Sequence, residues 1–303
     1  ASQDIAIDAY AVEVLRKEEQ GAAVGARLAF YRAAMLVSGG VSITLASHIG
    51  WPAVNGLLAI VFVLMLALTW RSPEPETQPV PPATLRDAVW LPLLGMMRRP
   101  RALEILAFVM LYKFGDQLTQ SLTRPFLIDM GYDAFHRGVA VTTLSVGLMI
   151  LGTFAGGLVS TATGLGHALW IFGVVQIFSN AGYLLLAVLD RPDVGAMYGA
   201  IGFEALATGL GNGAFGVLLF RLTEKRFSAT QYALFSSLFA VPRVLAGPIT
   251  GVTVSAFGWP SFFLLTMALG IPGLVMLARF VPMGVREPTL DPGVAVASRR
   301  SPA

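Results

Sequence analysis

Long apolar segments separated by short polar connections dominate the chain. Eight of them approach or exceed the length of about 20 residues that an α-helix needs to cross a bilayer. They lie at 28–47, 51–70, 102–128, 138–162, 168–189, 195–220, 230–257 and 259–281. None alternates strictly between polar and apolar positions, so the pattern predicts membrane-spanning helices rather than barrel strands. Residues 1–14 predict the end of one further helix.

One polar stretch divides these helices into two groups. Residues 71–101 are rich in proline and arginine, which predicts a linker that is extended where proline is dense. On this interpretation residues 1–70 form the end of an N-terminal helical half, and residues 102–281 form a C-terminal half of six helices. The polar tail at 282–303 is predicted to be disordered.

The composition agrees with a protein that lies mostly in lipid. Only 13% of the residues are charged, 55% are hydrophobic and the mean hydropathy is +0.69. An average soluble domain is about 25% charged, so the composition excludes a soluble globular enzyme, a disordered chain and a coiled coil. The sequence has no cysteine, which excludes a disulfide framework, thiolate metal sites and a cysteine nucleophile.

Lysine and arginine are distributed unevenly between the two sides of the predicted bundle. Of the 21 basic residues, only Arg124, Arg137 and Arg191 fall on one side, whereas most fall on the other side, which includes the linker and the tail. An excess of basic residues marks the cytoplasmic side of a membrane protein. The linker and the C-terminus are therefore expected in the cytoplasm. The pI near 9.4 then reflects topology, and no nucleic-acid partner is expected.

A short motif occurs once in each group of helices. The two copies are Arg32 followed by Gly50-Trp51-Pro52 and Arg243 followed by Gly258-Trp259-Pro260. Both copies run in the same direction across the membrane, as do the two halves of major facilitator transporters. We therefore expect an all-α polytopic membrane protein of that fold, running from the last part of helix 4 to helix 12 of a twelve-helix transporter and truncated at its N-terminus. The two arginines either bind substrate carboxylates or lock the halves together.

Several ionisable side chains fall inside the predicted helices, where each costs about 2.5–3.5 kcal/mol on insertion scales. They are Asp4, Asp8, Arg32, Lys113, Asp116, Glu204 and Arg243. A passive membrane anchor has no need of so many charges. We therefore expect these side chains to face an internal cavity that binds a substrate or carries protons.

Three of the acids in the predicted helices are candidates for proton coupling. Asp4 and Asp8 are one helical turn apart, with Gln3 beside Asp4, and two carboxylates on one face favour proton uptake by one of them. Glu204 has no basic residue on its own predicted helix. Either Asp4 or Glu204 is expected to carry the coupled proton. The alternative for Glu204 is a structural pairing with Arg243.

The first helix after the linker carries a polar stripe. Lys113 and Asp116 are three residues apart, so they share one face and can pair, and Gln117 and Gln120 continue that face. The stripe is either a structural ion pair or a cavity-lining cluster that a ligand or a proton can break. Asn180, in a later helix, is likewise either a binding residue or a polar contact between helices.

The remaining motifs carry no enzymatic chemistry. Three histidines lie at separate helix ends, so no metal site is expected, and no Ser-His-Asp set is arranged for hydrolysis. Glycine pairs four residues apart predict close helix contacts instead. They occur at 21/25, 152/156, 195/199, 209/213 and 247/251. A membrane-embedded enzyme remains the alternative from another functional class.

Five short strings of residues form a pattern that extends over most of the chain. They are Ser2-Gln3-Asp4-Ile5-Ala6-Ile7-Asp8-Ala9, Tyr31-Arg32 with Met35-Leu36-Val37-Ser38-Gly39-Gly40, Tyr112-Lys113-Phe114-Gly115-Asp116, Ser179-Asn180-Ala181-Gly182-Tyr183 and Phe227-Ser228-Ala229-Thr230-Gln231. Together they resemble the AmpG-type muropeptide permeases of the major facilitator superfamily.

This resemblance implies a monomeric symporter in the bacterial inner membrane. It would use the proton motive force and no cofactor. Its substrate would be GlcNAc–anhydro-MurNAc with or without peptide, taken from the periplasm to the cytoplasm for peptidoglycan recycling. Within transport, the alternative is another anionic solute such as an acyl-CoA or a peptide.

Overall fold

The computed structural model describes residues 2–75, 84, 86–99 and 101–288, and all the regular structure in these ranges is helical. Four helices precede the linker. They are α1 (Ser2–Val14), α2 (Gln20–Leu36), α3 (Ser42–Ile49) and α4 (Trp51–Trp70). A wider π-helical turn at Val37–Val41 joins α2 and α3 into one continuous rod.

The helices from the linker onward are more numerous. They are α5 (Leu91–Met97), α6 (Ala102–Leu111), α7 (Phe114–Asp129), α8 (Ala134–Gly138), α9 (Ser145–Thr163), α10 (Leu165–Leu189), α11 (Val194–Leu222) and α12 (Ser228–Phe280). A second π-helical turn at Val139–Leu144 joins α8 to α9. These helices have no β partner in the described ranges, which confirms the all-α prediction.

Six helical segments of the described chain are long and apolar enough to cross a membrane. They are Gln20–Ile49, Trp51–Trp70, Ala134–Thr163, Leu165–Leu189, Val194–Leu222 and Thr250–Phe280. The predicted continuous helix at 102–128 is wrong, because Tyr112 and Lys113 interrupt it and separate α6 from α7. The predicted segment at 230–257 forms the first part of α12.

The two copies of the Gly-Trp-Pro motif fold in the same way. Gly50 has φ 79° and ψ 157°, and Gly258 has φ 77° and ψ 173°. These backbone angles are accessible to glycine and strained for residues with a Cβ atom. Gly50 ends α3, and Gly258 breaks the helical path within α12. In each copy the proline lies in the first turn of the helical segment that follows, where its missing N–H costs nothing. The internal repeat is therefore visible in the backbone as well as in the sequence.

Two apolar cores occupy opposite ends of the bundle. Near the linker, Tyr112 of the α6–α7 break stacks on Phe215 of α11 at 5.5 Å between ring centroids. At the far end, Phe126 of α7 packs against Tyr183 and Phe263. The start of α7 lies between these cores, so any polar side chain there is enclosed by protein above and below.

Glycine contacts hold α9 between α2 and α11. A Cβ atom at Gly156 would overlap the carbonyl oxygen of Leu210, and one at Gly213 would overlap that of Thr153. On the opposite face of α9, a Cβ atom at Gly157 would overlap the carbonyl oxygen of Gly21. Three of the five predicted glycine pairs are thus confirmed as close helix contacts. The prediction is wrong for the other two pairs: a Cβ atom at Gly199, Gly247 or Gly251 would meet nothing within 4 Å, and one at Gly195 would meet only the side chain of Asp193.

We expect Gly213→Ala to destabilise the fold and Gly199→Ala, on the same helix, to leave it intact. The first substitution forces a methyl group into the backbone of α9, and such overpacking costs about 1–3 kcal/mol. The second meets no atom within 4 Å and gains helix propensity of up to about 1 kcal/mol. Thermal unfolding of both purified variants in detergent measures the difference. Equal melting temperatures would show that the α9–α11 contact does not limit stability.

The two segments predicted to lack regular structure are partly ordered. Within the predicted linker, residues 86–97 are helical, and residues 76–83, 85 and 100 lie outside the described residues. The tail at 282–288 is bound to the bundle, since the backbone N–H of Gly166 donates to the carbonyl of Arg286 at 2.8 Å. The prediction of a disordered tail is therefore wrong for these residues, and 289–303 lie outside the described range.

Candidate functional site

An ion pair is buried where α6 gives way to α7. The Nζ atom of Lys113 lies 3.3 Å from Oδ2 of Asp116, and the two side chains are only 1% and 10% exposed. Removing two charges from water costs several kcal/mol for each ion, which their mutual attraction offsets only in good geometry. The two charges therefore depend on each other, because neither reaches solvent.

The local sequence explains why the pair forms at this position. Lys113 leaves the helical path with φ −110° and ψ 8°, and it precedes the first turn of α7. Asp116 lies in that first turn, where the helix dipole favours an acid. Gly115 allows α7 to begin against α12, because a Cβ atom there would overlap the carbonyl oxygen of Thr266.

Glu204 lies in the middle of α11 and is 4% exposed. Its Oε1 atom accepts a hydrogen bond from Thr208 Oγ1 at 2.9 Å and a longer one from Gln120 Nε2 at 3.5 Å. The polar face of α7 thus meets α11 at this carboxyl group. Within the described residues, Glu204 has no cation within 4 Å, so its partners are neutral hydrogen-bond donors.

Four ionisable side chains form one electrostatic group, here called the central cluster: Arg32, Lys113, Asp116 and Glu204. Glu204 lies close enough to the other three for their charges to interact, and Lys113 interacts in the same way with Arg32. With two basic and two acidic members, the fully ionised cluster has no net charge. It connects α2, which precedes the linker, with α7 and α11, which follow it.

Two amide side chains of α10 lie beside the cluster. Gln176 and Asn180 are 3% and 1% exposed, and together with Asp116 they line an internal space of about 10 Å³. That volume matches roughly one water molecule. Gln176 Nε2 and Asn180 Oδ1 make no hydrogen bond to the described residues. Gly211 of α11 makes room for the amide of Gln176, which a Cβ atom there would overlap.

The other predicted site residues lie outside the central cluster. Gln3 and Asp4 are exposed on α1, Gln117 is half-buried on α7, and Arg243 is exposed on α12. Glu204 therefore contacts Gln120 and Thr208 and makes no pair with Arg243. Asp8, expected to share a cavity with Asp4, instead forms an ion pair with Arg27 of α2.

Sequence reasoning missed Arg27 as a site residue because it placed this arginine in a connection. The helix that contains it begins earlier than predicted, at Gln20. Besides binding Asp8, Arg27 donates a hydrogen bond to the hydroxyl of Tyr232 at 3.4 Å. This group links α1 and α2 to the start of α12. The spacing of residues on a single helix does not predict such a contact between segments that are distant in the sequence.

Comparisons with known proteins identify the family of this chain. The model of the Major Facilitator Superfamily matches residues 1–246. The chain is 44% identical over 280 residues to the anhydromuropeptide permeases of Escherichia coli strains K12 and O157:H7, which covers 91% of this chain and 57% of each permease. It is also 32% identical over 295 residues to an uncharacterized protein of Haemophilus influenzae, covering 93% of this chain and 69% of that protein.

The chain thus spans little more than half the length of the Escherichia coli permeases. The family match covers most of the chain, and the repeated Gly-Trp-Pro turn, the apolar helices and the buried charges agree with it. The relatives named for a function are permeases rather than enzymes. This chain is therefore a multi-pass membrane protein that belongs to the Major Facilitator Superfamily, among its AmpG-type members.

Proposed function

We propose that the protein imports anhydro-muropeptides from the periplasm to the cytoplasm by proton symport, in the bacterial inner membrane. The relatives named anhydromuropeptide permease, at 44% identity, support the substrate. The excess of lysine and arginine in the linker and tail supports a cytoplasmic location for both. The working unit is proposed to be a monomer whose partners are the lipid bilayer, the muropeptide and protons.

The observation that carries this proposal is the charge balance of the central cluster. Fully ionised, Arg32, Lys113, Asp116 and Glu204 have no net charge. Protonation of Glu204 removes one negative charge, and the cluster then has a net charge of +1. An anionic substrate is attracted more strongly to that state, so proton uptake and substrate binding favour each other. Loss of the proton on the other side of the membrane weakens the attraction and favours release.

Contacts at the linker end of the bundle support a conformation closed toward the cytoplasm. The backbone carbonyl of Glu13, at the end of α1, accepts a hydrogen bond from Lys225 Nζ at 2.8 Å. The carboxylate of Glu13 accepts another from Ser228 Oγ at 2.5 Å. Together with the link from Arg27 to Tyr232, these bonds join segments on the two sides of the linker. Release into the cytoplasm requires them to break as the two groups of helices rock apart.

Uptake by the protein expressed from its complete reading frame tests the proposal. The host is a Gram-negative strain that lacks its own muropeptide permease, and the measurement is labelled anhydro-muropeptide in the cytoplasm. One proton carried inward with a singly charged anion moves no net charge, so the pH difference across the membrane drives accumulation, at about 1.4 kcal/mol or roughly tenfold for each pH unit. We expect accumulation of that order, and we expect a protonophore to abolish it.

Matched competitors distinguish the alternatives. An acyl-CoA and a free peptide are added in excess to separate uptake reactions. If either is itself accumulated while the muropeptide is not, the protein transports another anionic solute and the proposed substrate is wrong. Accumulation that survives the protonophore would contradict symport.

A further inference from the structure

Two arginines flank a cavity at the end of α7 that lies away from the linker. The cavity has a volume of about 350 Å³ and opens between α7 and the α8–α9 rod. Arg124 of α7 and Arg137 of α8 line it, with Leu127, Ile128 and Val141 as apolar neighbours. Such a space is small for a whole muropeptide and large enough for one charged branch of a ligand.

Neither guanidinium has an acidic partner in the described part of the chain. No carboxylate there lies within 4 Å of Arg124 or Arg137. Arg137 Nε is buried and makes no hydrogen bond to described residues. A buried donor without an acceptor is costly, so this atom points to an acceptor that the ligand supplies.

The acids nearest in sequence are engaged elsewhere. Asp129 accepts a hydrogen bond from Trp259 Nε1 at 3.2 Å. Asp133 accepts from the backbone N–H of Phe135 at 2.8 Å as the N-cap of α8. These backbone hydrogen bonds lower the pKa of Asp133. Both carboxylates thus have donors of their own, and the two positive charges at the cavity stay uncompensated.

One of the two arginines that line the cavity lies on the polar face of α7 that leads to the central cluster. Arg124 lies one helical turn beyond Gln120 on α7, and Gln120 donates to Glu204. A ligand in the cavity is therefore on the same side of α7 as the buried charges, rather than on an unrelated surface. On the proposed topology, this end of α7 faces the periplasm, from which the substrate arrives.

We propose that Arg124 and Arg137 bind a carboxylate of the peptide branch of the substrate at the periplasmic entrance. This inference rests on the proposed function and adds the position of the peptide to it. Two guanidiniums hold a carboxylate through charge-assisted hydrogen bonds. The sugar part is then free to extend along α7 toward the central cluster.

The test pairs two variants with two ligands in proteoliposomes of the complete protein. The first variant is a double variant that combines Arg124→Gln and Arg137→Gln. The second is the control Arg191→Gln, whose arginine lies at the same end of the bundle but outside the cavity. The ligands are a peptide-bearing anhydro-muropeptide with free peptide carboxylates and the same compound with those carboxylates amidated. In the parental protein and in Arg191→Gln, we expect amidation to raise KM roughly tenfold to a hundredfold. In the double variant, we expect a KM already raised by that factor for the free compound and no further effect of amidation.

Three other outcomes overturn the inference in distinguishable ways. If amidation raises KM equally in the double variant and in the parental protein, the arginines do not contact the peptide. If the double variant differs from the parental protein only in vesicles that contain anionic phosphatidylglycerol, and equally for both ligands, the site binds a lipid phosphate. If the parental protein takes up neither compound, the proposed function itself fails and the inference fails with it.

Discussion

Glu204→Gln is expected to abolish proton-driven accumulation of substrate while leaving exchange across the membrane measurable. The amide keeps the shape of the side chain and its bond with Thr208, but it no longer releases or binds a proton. The accumulation that an imposed pH difference drives, roughly tenfold for each pH unit, should therefore fall to about equilibrium. Uptake under an imposed proton gradient and counterflow in its absence separate the two activities.

A second acid-to-amide substitution serves as the control. Glu104→Gln changes a half-buried acid of α6 whose carboxylate binds Arg101 at 2.6 Å, and accumulation should persist. Asp4→Asn tests the other candidate carrier, because Asp4 lies outside the central cluster. If Glu204→Gln still concentrates substrate while Asp4→Asn does not, the coupling site lies on α1 and the argument from the cluster is wrong.

Removing one partner of the pair Lys113–Asp116 is expected to destabilise the protein by about 3–5 kcal/mol, since it leaves an uncompensated buried charge. Lys113→Ala and Asp116→Ala should each lower expression and melting temperature. The double variant should recover both, because no charge remains to be buried. It should nevertheless fail to take up substrate, since the cluster loses two of its four charges. Fluorescence size-exclusion chromatography measures expression and melting temperature, and an uptake assay measures transport.

An exposed pair of identical spacing provides the comparison. Arg101 and Glu104 are also three residues apart, on α6, and both are about one third exposed. Alanine substitutions there should barely change expression, singly or together. Near-parental uptake by the double variant at Lys113 and Asp116 would show that the buried pair is only structural.

The helical architecture could be predicted because it follows from one strong constraint. A chain in lipid must satisfy its backbone hydrogen bonds within each segment, so long apolar segments become helices. The two tight turns could also be predicted from local sequence, because Gly50 and Gly258 have backbone conformations that disfavour residues with a side chain. Helix interruptions were not predictable, because the break at Lys113 depends on the contacts that α7 makes with α12.

In the candidate site, contacts within one helix could be predicted from the sequence, and contacts between distant helices could not. Lys113 and Asp116 were predicted as a pair from their spacing on one helix, and the structure places them 3.3 Å apart. Their proximity to Arg32 and Glu204 depends on three helices that are far apart in sequence. The pairing of Asp8 with Arg27 was missed for this reason, because like charges on α1 suggested a shared site. The roles of all these residues in transport stay predictions.

The glycine seam between α2 and α9 has a mechanical consequence. At Gly21 and Gly157 the two backbones are in direct contact, so α2 and α9 can rotate against each other without displacing interdigitated side chains. This contact would serve as a pivot near the linker end of the bundle. Rotation about the pivot moves the two ends of the helices in opposite directions. Separation of α1 from the start of α12 would then draw the far ends together, so that one motion opens the cytoplasmic exit and shuts the periplasmic entrance.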